Sequence, residues 1–395
     1  MNNPKITVII PTRERAEVLK YSLRTAVMQD YENLEIIVCD NFSNDDTESI
    51  VKCANDTRIR YINTGKRLSM SHNWEFALSH VKNGWVTFMG DDDGLLPGGI
   101  RKVAEVIEKT KAYAIRTEGC VYNWPDIPDR SAGQLIVPLS KGYEVRNSQE
   151  YLRKVLEGKD KYNQLPMIYN GGFVHIELLE EIKNKVGRFF ASVNPDVYTA
   201  MALARLTNSY IYFKEPVIIN GTSKYSNGYS AFSINKNRNL EHYKKFLSEE
   251  NIPLHQDIPP LRDGTIPLSL QACVYEAYLQ SEQVGGSVLN MNHEKQLTIL
   301  LATSEKHQVL INDWCTLFAE QHGLDYQKAY EKSLFLRRKY QFFVLIKKVW
   351  RVLNSIVVSY PSVRNIHEAS IAANIIMQAP SRSDSIKFLI GRLIS

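Results

Sequence analysis

The sequence predicts an α/β fold with a mostly parallel sheet and helices on both faces, followed by a mainly helical carboxy-terminal region. Three observations carry this. In the first 110 residues, apolar or β-branched runs of strand length alternate with helix-length amphipathic stretches. Each run stops at a proline, an Asp-Asn pair or a glycine. From residue 240 onward the spacing is helical, interrupted by the proline-rich residues 251–267.

Residues 6–10 (ITVII) form the first expected strand, ended by Pro11, and residues 34–39 (LEIIVC) the second, ended by Asp40-Asn41. Residues 58–62 read as a further short strand and residues 85–89 (WVTFM) as the next, ended by Gly90-Asp91-Asp92-Asp93-Gly94. Between them, Ala16, Val18, Leu19, Leu23, Ala26 and Val27 recur at helical spacing, as do Trp74, Ala77, Leu78 and Val81; residues 45–53 carry a shorter helix. Residues 113–219 are mixed, with helices expected at 148–156 and 176–185. A third is expected to run to residue 206, with Asn194 as its cap and Pro195 in the first turn. A strand at 210–213 and a Gly/Ser/Asn loop at 220–230 close this part, giving two expected units, 1–230 and 231–395. In such a sheet the crevice outside the carboxyl ends of the strands takes the ligand, and Thr12-Arg13, Asp40-Asn41 and the three aspartates all fall there.

The chain has 395 residues, 44% of them hydrophobic and 23% charged, which excludes a disordered or low-complexity protein. The five cysteines, Cys39, Cys53, Cys120, Cys273 and Cys315, are never in a C-x-x-C pair, so a disulfide framework and a structural zinc site are not expected, and the scattered thiols read as inert core residues. The amino terminus runs straight into a strand without a signal-peptide pattern, and no run of 18 apolar residues is present; a cytoplasmic location follows as the expectation.

Three consecutive aspartates after an apolar strand repel one another unless water, hydrogen bonds or a cation compensates. A hard divalent ion, Mg2+ or Mn2+, suits all-oxygen ligation and commonly takes one or two carboxylates plus substrate phosphates. A solvated acidic turn is the plainer alternative. No G-x-x-x-x-G-K-[ST], G-x-G-x-x-G or H-R-D pattern is present, which argues against the usual nucleotide-hydrolysis, dinucleotide and protein-kinase cradles.

VIIPTRER at 8–15, VCDNFSNDDT at 38–47, INTG at 62–65 with Asn73 eight residues beyond Gly65, and VTFMGDDDGLLPGG at 86–99 together resemble the family 2 glycosyltransferases of the GT-A, Rossmann-like fold. The resemblance is firm over residues 5–110 and usable to about 230. It implies an inverting enzyme that moves a sugar from a nucleoside-diphosphate sugar to a hydroxyl of a glycan or lipid-linked acceptor, in bacterial surface polysaccharide or lipopolysaccharide synthesis. Pro11, Thr12, Arg13, Asp40 and Asn73 then border the nucleotide-sugar, with Asp40 at the base. The family's Asp-x-Asp-Asp pattern puts Gly90 where its first carboxylate belongs. Either Asp91 takes over the ribose contact or the first carboxylate is simply absent, and Asp92 and Asp93 are expected to face the metal. Asp196 matches the acceptor-side carboxylate as catalytic base, with a dipole-complementing role in a first helical turn as the alternative and Asp160, Glu177 or Glu180 as substitutes. Tyr169 and Asn170 border the acceptor pocket. Lys66, Arg67, His72 and His242 are further candidates for phosphate or metal contact.

Residues 331–395 hold 11 Lys plus Arg against 3 Asp plus Glu, a net +8. An amphipathic helix is expected over 342–360, preceded by Arg337, Arg338 and Lys339, and two readings stand: peripheral contact with the cytoplasmic face of the inner membrane, or docking on the core or a partner subunit. Nucleic acid is not an expected partner. Besides the enzyme, an inactive nucleotide-sugar-binding or glycan-binding protein and a membrane-associated scaffold subunit remain as alternative functions.

Overall fold

Four apolar runs build the parallel half of the sheet: β1 (Ile6–Thr12), β2 (Leu34–Asp40), β3 (Ile59–Asn63) and β4 (Trp85–Phe88), in the order β3-β2-β1-β4. The structure is a computed structural model and describes residues 3–128, 131–226, 249–261, 269–286, 289, 292–303, 308–359 and 363–379. The register pairs Thr12 with Asp40 and Asp40 with Asn63, so the polar strand ends lie in one row. Ile6, Val8, Ile9, Ile36, Ile37 and Val86 are buried, as expected for strands covered on both faces.

The crossovers are α1 (Ala16–Val27), α2 (Thr47–Cys53) and α3 (Met70–Leu78). The face of α1 that carries Val18, Leu19, Leu23 and Ala26 is buried; fully burying one such Leu or Val contributes about 1.5–3 kcal/mol. The chain order reverses at β1, which has β2 on one side and β4 on the other, and this opens the crevice at their carboxyl ends.

Beyond β4 the sheet becomes mixed. β5 (Gly94–Leu95) and α4 (Gly99–Thr110) lead to β6 (Ala114–Asn123), β7 (Gln134–Pro138), β8 (Tyr143–Asn147) and α5 (Ser148–Leu156), whose cap is the Asn147 side chain accepting from the Glu150 amide at 2.9 Å. β9 (Gly172–His175) pairs antiparallel with β4 and β6, and α6 (Ile176–Val186) and α7 (Pro195–Leu206) follow. Asn194 takes the cap position of α7, but its side chain makes no capping bond. The strand expected at 210–213 is the first part of β10 (Ser209–Thr222), which shifts register between Phe213 and Ile218, around Pro216, and runs on beside β5 and β6 into the expected loop.

Among the described residues, the carboxy-terminal region contributes α8 (Leu270–Gln280), α9 (His293–Thr303), α10 (Gln308–Gln321), α11 (Tyr326–Leu353), β11 (Ser355–Ser359) and α12 (Ile366–Gln378). The expected helix over 342–360 is corrected here: α11 ends at Leu353, and the β-branched run Ile356-Val357-Val358 pairs antiparallel with β7. The expected division at 230/231 does not separate two cores. Trp314, Cys315 and Phe318 share one apolar cluster with Phe88, Leu152 and Tyr198, while Ile366, Ala369 and Ala373 of α12 join Val18, Leu96 and Tyr122 in another. Cys39, Cys120 and Cys315 are buried as expected, with burial pushing the Cys39 thiol up to about 12, whereas Cys53 is exposed.

Candidate active site

The acidic turn after β4 is packed from three directions. Asp91 is held from the β1 side: Thr12 Oγ1 donates to its Oδ2 at 2.8 Å and Arg15 Nη1 to its Oδ1 at 3.0 Å. Expected at the ribose, Asp91 instead has each oxygen engaged within the chain. Burial raises its pKa, and the Arg15 charge opposes that rise. Arg15 also donates to the Tyr225 carbonyl, tying α1's entry to the segment after β10.

Asp92 is held from the β10 side. Its carbonyl accepts from Trp124 Nε1 at 3.0 Å, and its Oδ2 accepts from the hydroxyls of Ser223, at 2.7 Å, and Ser226. No hydrogen bond reaches its Oδ1 from the described residues, and that oxygen lies 3.2 Å from the point a Cβ on Gly90 would occupy.

Asp93 folds back. Its Oδ1 accepts from the Gly221 amide at 2.7 Å, and its Oδ2 from the Gly90 amide at 3.0 Å and the Tyr169 hydroxyl at 3.3 Å. Burial and then the Asp92 charge push its carboxyl well above the usual range. Expected as a second metal ligand, Asp93 has both oxygens committed to the fold.

These contacts explain the glycine at position 90. A Cβ there would lie 2.6 Å from Asp93 Oδ2 and 3.0 Å from the Tyr169 hydroxyl, so the volume belongs to those groups. Gly221 is equally constrained, because a Cβ would fall 1.8 Å from the Asp92 carbonyl oxygen. β10 passes the acidic turn backbone against backbone, which only glycine permits.

The nucleotide-side residues line the row of strand ends. Asp40 is buried; its Oδ2 accepts from Tyr61, at 2.6 Å, and Asn63, at 3.1 Å, and its Oδ1 from the Ser43 amide at 3.0 Å. Pro11 lies half-buried within β1, one residue before its end, and Arg13 beyond the strand pairs with Glu249. Asn73 points elsewhere than expected, its Oδ1 taking the Cys39 thiol at 3.2 Å. His72 Nδ1 lies 2.9 Å from Ser69 Oγ and 3.3 Å from the Glu250 carbonyl, Arg67 approaches Glu14 at 3.8 Å, and Lys66 is exposed. His242 lies outside the described residues.

On the opposite side, the loop before β9 presents Tyr169 and Asn170. Arg116, itself buried, donates to the carbonyls of Asn163, Tyr169 and Asn170 and fixes that loop. Asn170 adopts φ +47°, and its buried Oδ1 has no hydrogen-bond partner among the described residues. Asp196, in the first turn of α7, accepts from the Tyr162 hydroxyl at 2.7 Å. Burial raises the Asp196 pKa and the Tyr162 hydrogen bond lowers it. The Tyr169 phenol, which donates to Asp93, is pushed up by burial first and then by the charges of Asp93, Asp92 and Asp196.

Asp92 would fit a divalent ion in one way: as a single carboxylate, oriented through one oxygen, whose other oxygen would be one ligand beside water and ligand phosphates. Among the described residues no group of three His, Cys, Asp or Glu forms a protein-only metal cage. Sequence reading missed Arg15, Tyr162, Gly221, Ser223 and Ser226. The last two stand in NGTSKYS, where only a loop composition is legible.

A parallel β3-β2-β1-β4 sheet whose strand ends gather an acidic turn is the arrangement of the GT-A fold. Residues 7–166 match glycosyl transferase family 2. The chain is similar to the GalNAc(5)-diNAcBac-PP-undecaprenol beta-1,3-glucosyltransferase of Campylobacter jejuni, 38% identical over 113 residues, covering 28% of this chain and 37% of that one. It also resembles the Escherichia coli UDP-Glc:alpha-D-GlcNAc-diphosphoundecaprenol beta-1,3-glucosyltransferase WfaP, 27% identical over 108 residues, covering 27% of this chain and 43% of the relative. The matches thus span about two fifths of those relatives. Among solved structures, S. aureus TarS 1–349 in complex with UDP superposes with TM-score 0.47 at 13% identity, covering 85% of this chain and 91% of that one.

Proposed function

We propose that the protein is an inverting, metal-dependent glycosyltransferase that moves a sugar from a nucleoside-diphosphate sugar to a hydroxyl of a lipid-linked acceptor, in surface-glycan assembly at the cytoplasmic face of the inner membrane. The observation that carries this reading is the geometry of Asp92: one oxygen is fixed by two serine hydroxyls, and the other accepts no hydrogen bond from the described residues.

In this mechanism Asp40, braced by Tyr61 and Asn63, accepts from the donor's base, and the β1 end with Pro11, Thr12 and Arg13 borders the nucleoside. Asp92 would hold Mn2+ or Mg2+, and the ion would supply positive charge to offset the negative charge growing on the departing diphosphate. Asp196 removes the proton from the acceptor hydroxyl at its carboxylate, on the face opposite the leaving group. Burial raises its pKa, which strengthens it as a base relative to an exposed aspartate, and the Tyr162 hydrogen bond opposes that rise. Tyr169 and Asn170 lie between donor and acceptor and shape the acceptor's approach. The undecaprenol-linked acceptors named for two relatives support the acceptor class.

The test is a donor screen by mass spectrometry, with Mn2+ and an undecaprenyl-diphosphate-linked sugar, scoring both transfer and slow donor hydrolysis. Transfer from one nucleoside-diphosphate sugar, lost on chelation, is the expected result. Tight donor binding with neither transfer nor hydrolysis contradicts it and favours a binding protein.

A further inference from the structure

Residues 341–347 of α11 are exposed one after another, and the helix is held here along the side that carries Tyr340 and Lys347. The stretch is apolar: Phe342 is 61% exposed, Val344 64% and Leu345 58%, with Phe343 and Ile346 between and beside them and Val349 and Leu353 further along. A helix apolar all round is ordinarily buried, and a contiguous exposed apolar patch marks a contact surface. Cations bracket it. Arg338 and Lys339 are exposed before it and Lys347 after it, within a region of net +8. Two copies meeting through this helix would bring those like charges together, whereas an anionic lipid surface offers hydrocarbon to the phenyl and aliphatic groups and headgroup phosphates to the cations.

The helix is also fixed to the acceptor side of the crevice. Tyr340 donates its hydroxyl to the Glu157 carbonyl, and Lys347 Nζ donates to the Lys159 carbonyl at 2.7 Å and to Asp160 Oδ1 at 2.9 Å. The chain then reaches Tyr162, whose hydroxyl holds Asp196. No helix among the described residues is long and apolar enough to cross a membrane. We infer that residues 342–346 dock on an anionic lipid surface, with Arg338 and Lys339 at headgroup level, and that this docking sets the Asp196 side of the crevice toward the bilayer. The link to the acceptor rests on the function proposed above; the docking does not.

The experiment is co-sedimentation of the full chain with vesicles of phosphatidylcholine, with and without phosphatidylglycerol, in the absence of donor and acceptor. Binding to the phosphatidylglycerol vesicles that weakens with salt is expected. Phe342→Ser with Leu345→Ser should weaken it at least about tenfold, with melting temperature and donor hydrolysis in solution unchanged, because both side chains are exposed. Arg338→Gln with Lys339→Gln should weaken binding to anionic vesicles and leave the melting temperature alone. Three results would overturn the proposal: no binding to phosphatidylglycerol vesicles, a dimer in light scattering that the apolar double variant dissociates, or binding seen only after removal of residues 380–395. Loss of donor turnover with vesicle binding intact would instead count against the proposed reaction.

Discussion

Ser223 donates its hydroxyl to Asp92 Oδ2 at 2.7 Å across 131 positions of sequence, joining the end of β10 to the acidic turn after β4. Ser226 donates to the same oxygen. A carboxylate bonded twice through one oxygen has a fixed plane, so its second oxygen is aimed before any ligand arrives.

If that aim serves an ion, Ser223→Ala with Ser226→Ala should weaken Mn2+ binding in the presence of a nucleoside diphosphate by about tenfold or more, since each hydrogen bond to a charged group contributes roughly 1.5–3 kcal/mol. Thr at both positions should recover part of the loss. Titration followed by electron paramagnetic resonance reads this directly, and an unaltered Mn2+ affinity would show that the serines only pack.

Gly90→Asp restores the family's usual first carboxylate, and the geometry says that it will harm this protein. Its Cβ would press on Asp93 Oδ2 and the Tyr169 hydroxyl, an overpacking that costs about 1–3 kcal/mol before the added buried charge is counted. Lower melting temperature and lower turnover are expected. Gly221→Ala should be more damaging still, since backbone rather than side chain blocks its Cβ. A Gly90→Asp variant with higher activity would mean that the turn is looser than the contacts indicate.

Tyr162→Phe tests the base through its pH profile. The phenol's hydrogen bond stabilises ionised Asp196 and lowers its pKa; removing it leaves burial opposed only by the backbone amides of Val197 and Asp196, so the pKa rises. A base works deprotonated, and the acid limb of kcat/KM should therefore move to higher pH while donor affinity holds. A limb that stays in place while turnover falls at every pH would assign Tyr162 to another task.

The parallel half of the fold was legible because its signals are local. Residues 6–10, 34–39 and 85–89 are continuous apolar runs closed by breakers, and β1, β2 and β4 extend or trim them by only one or two residues. The aspartate turn was legible for the same reason. The partners of those aspartates were not: Ser223, Ser226 and Gly221 reach the turn through β10, whose bulge at Pro216 hides a single strand inside two unlike stretches. Composition suggested that 342–360 would be one helix, yet Ile356 and its neighbours pair with β7, a contact set by a strand more than 200 residues earlier. Position 90 was legible only as a departure; its cause lies in Asp93 and Tyr169.

The most direct test of the proposed chemistry is Asp196→Asn, with donor affinity, melting temperature and turnover measured on one preparation. The amide keeps the size and can still meet Tyr162, but it cannot take a proton. Catalysis by Asp196 predicts near-normal donor and Mn2+ binding with transfer reduced by roughly 10² to 10⁴. A carboxylate that merely complements the α7 dipole predicts a stability loss of about 0.3–1 kcal/mol with turnover preserved. Near-normal transfer by a folded, donor-binding Asp196→Asn protein would contradict the mechanism.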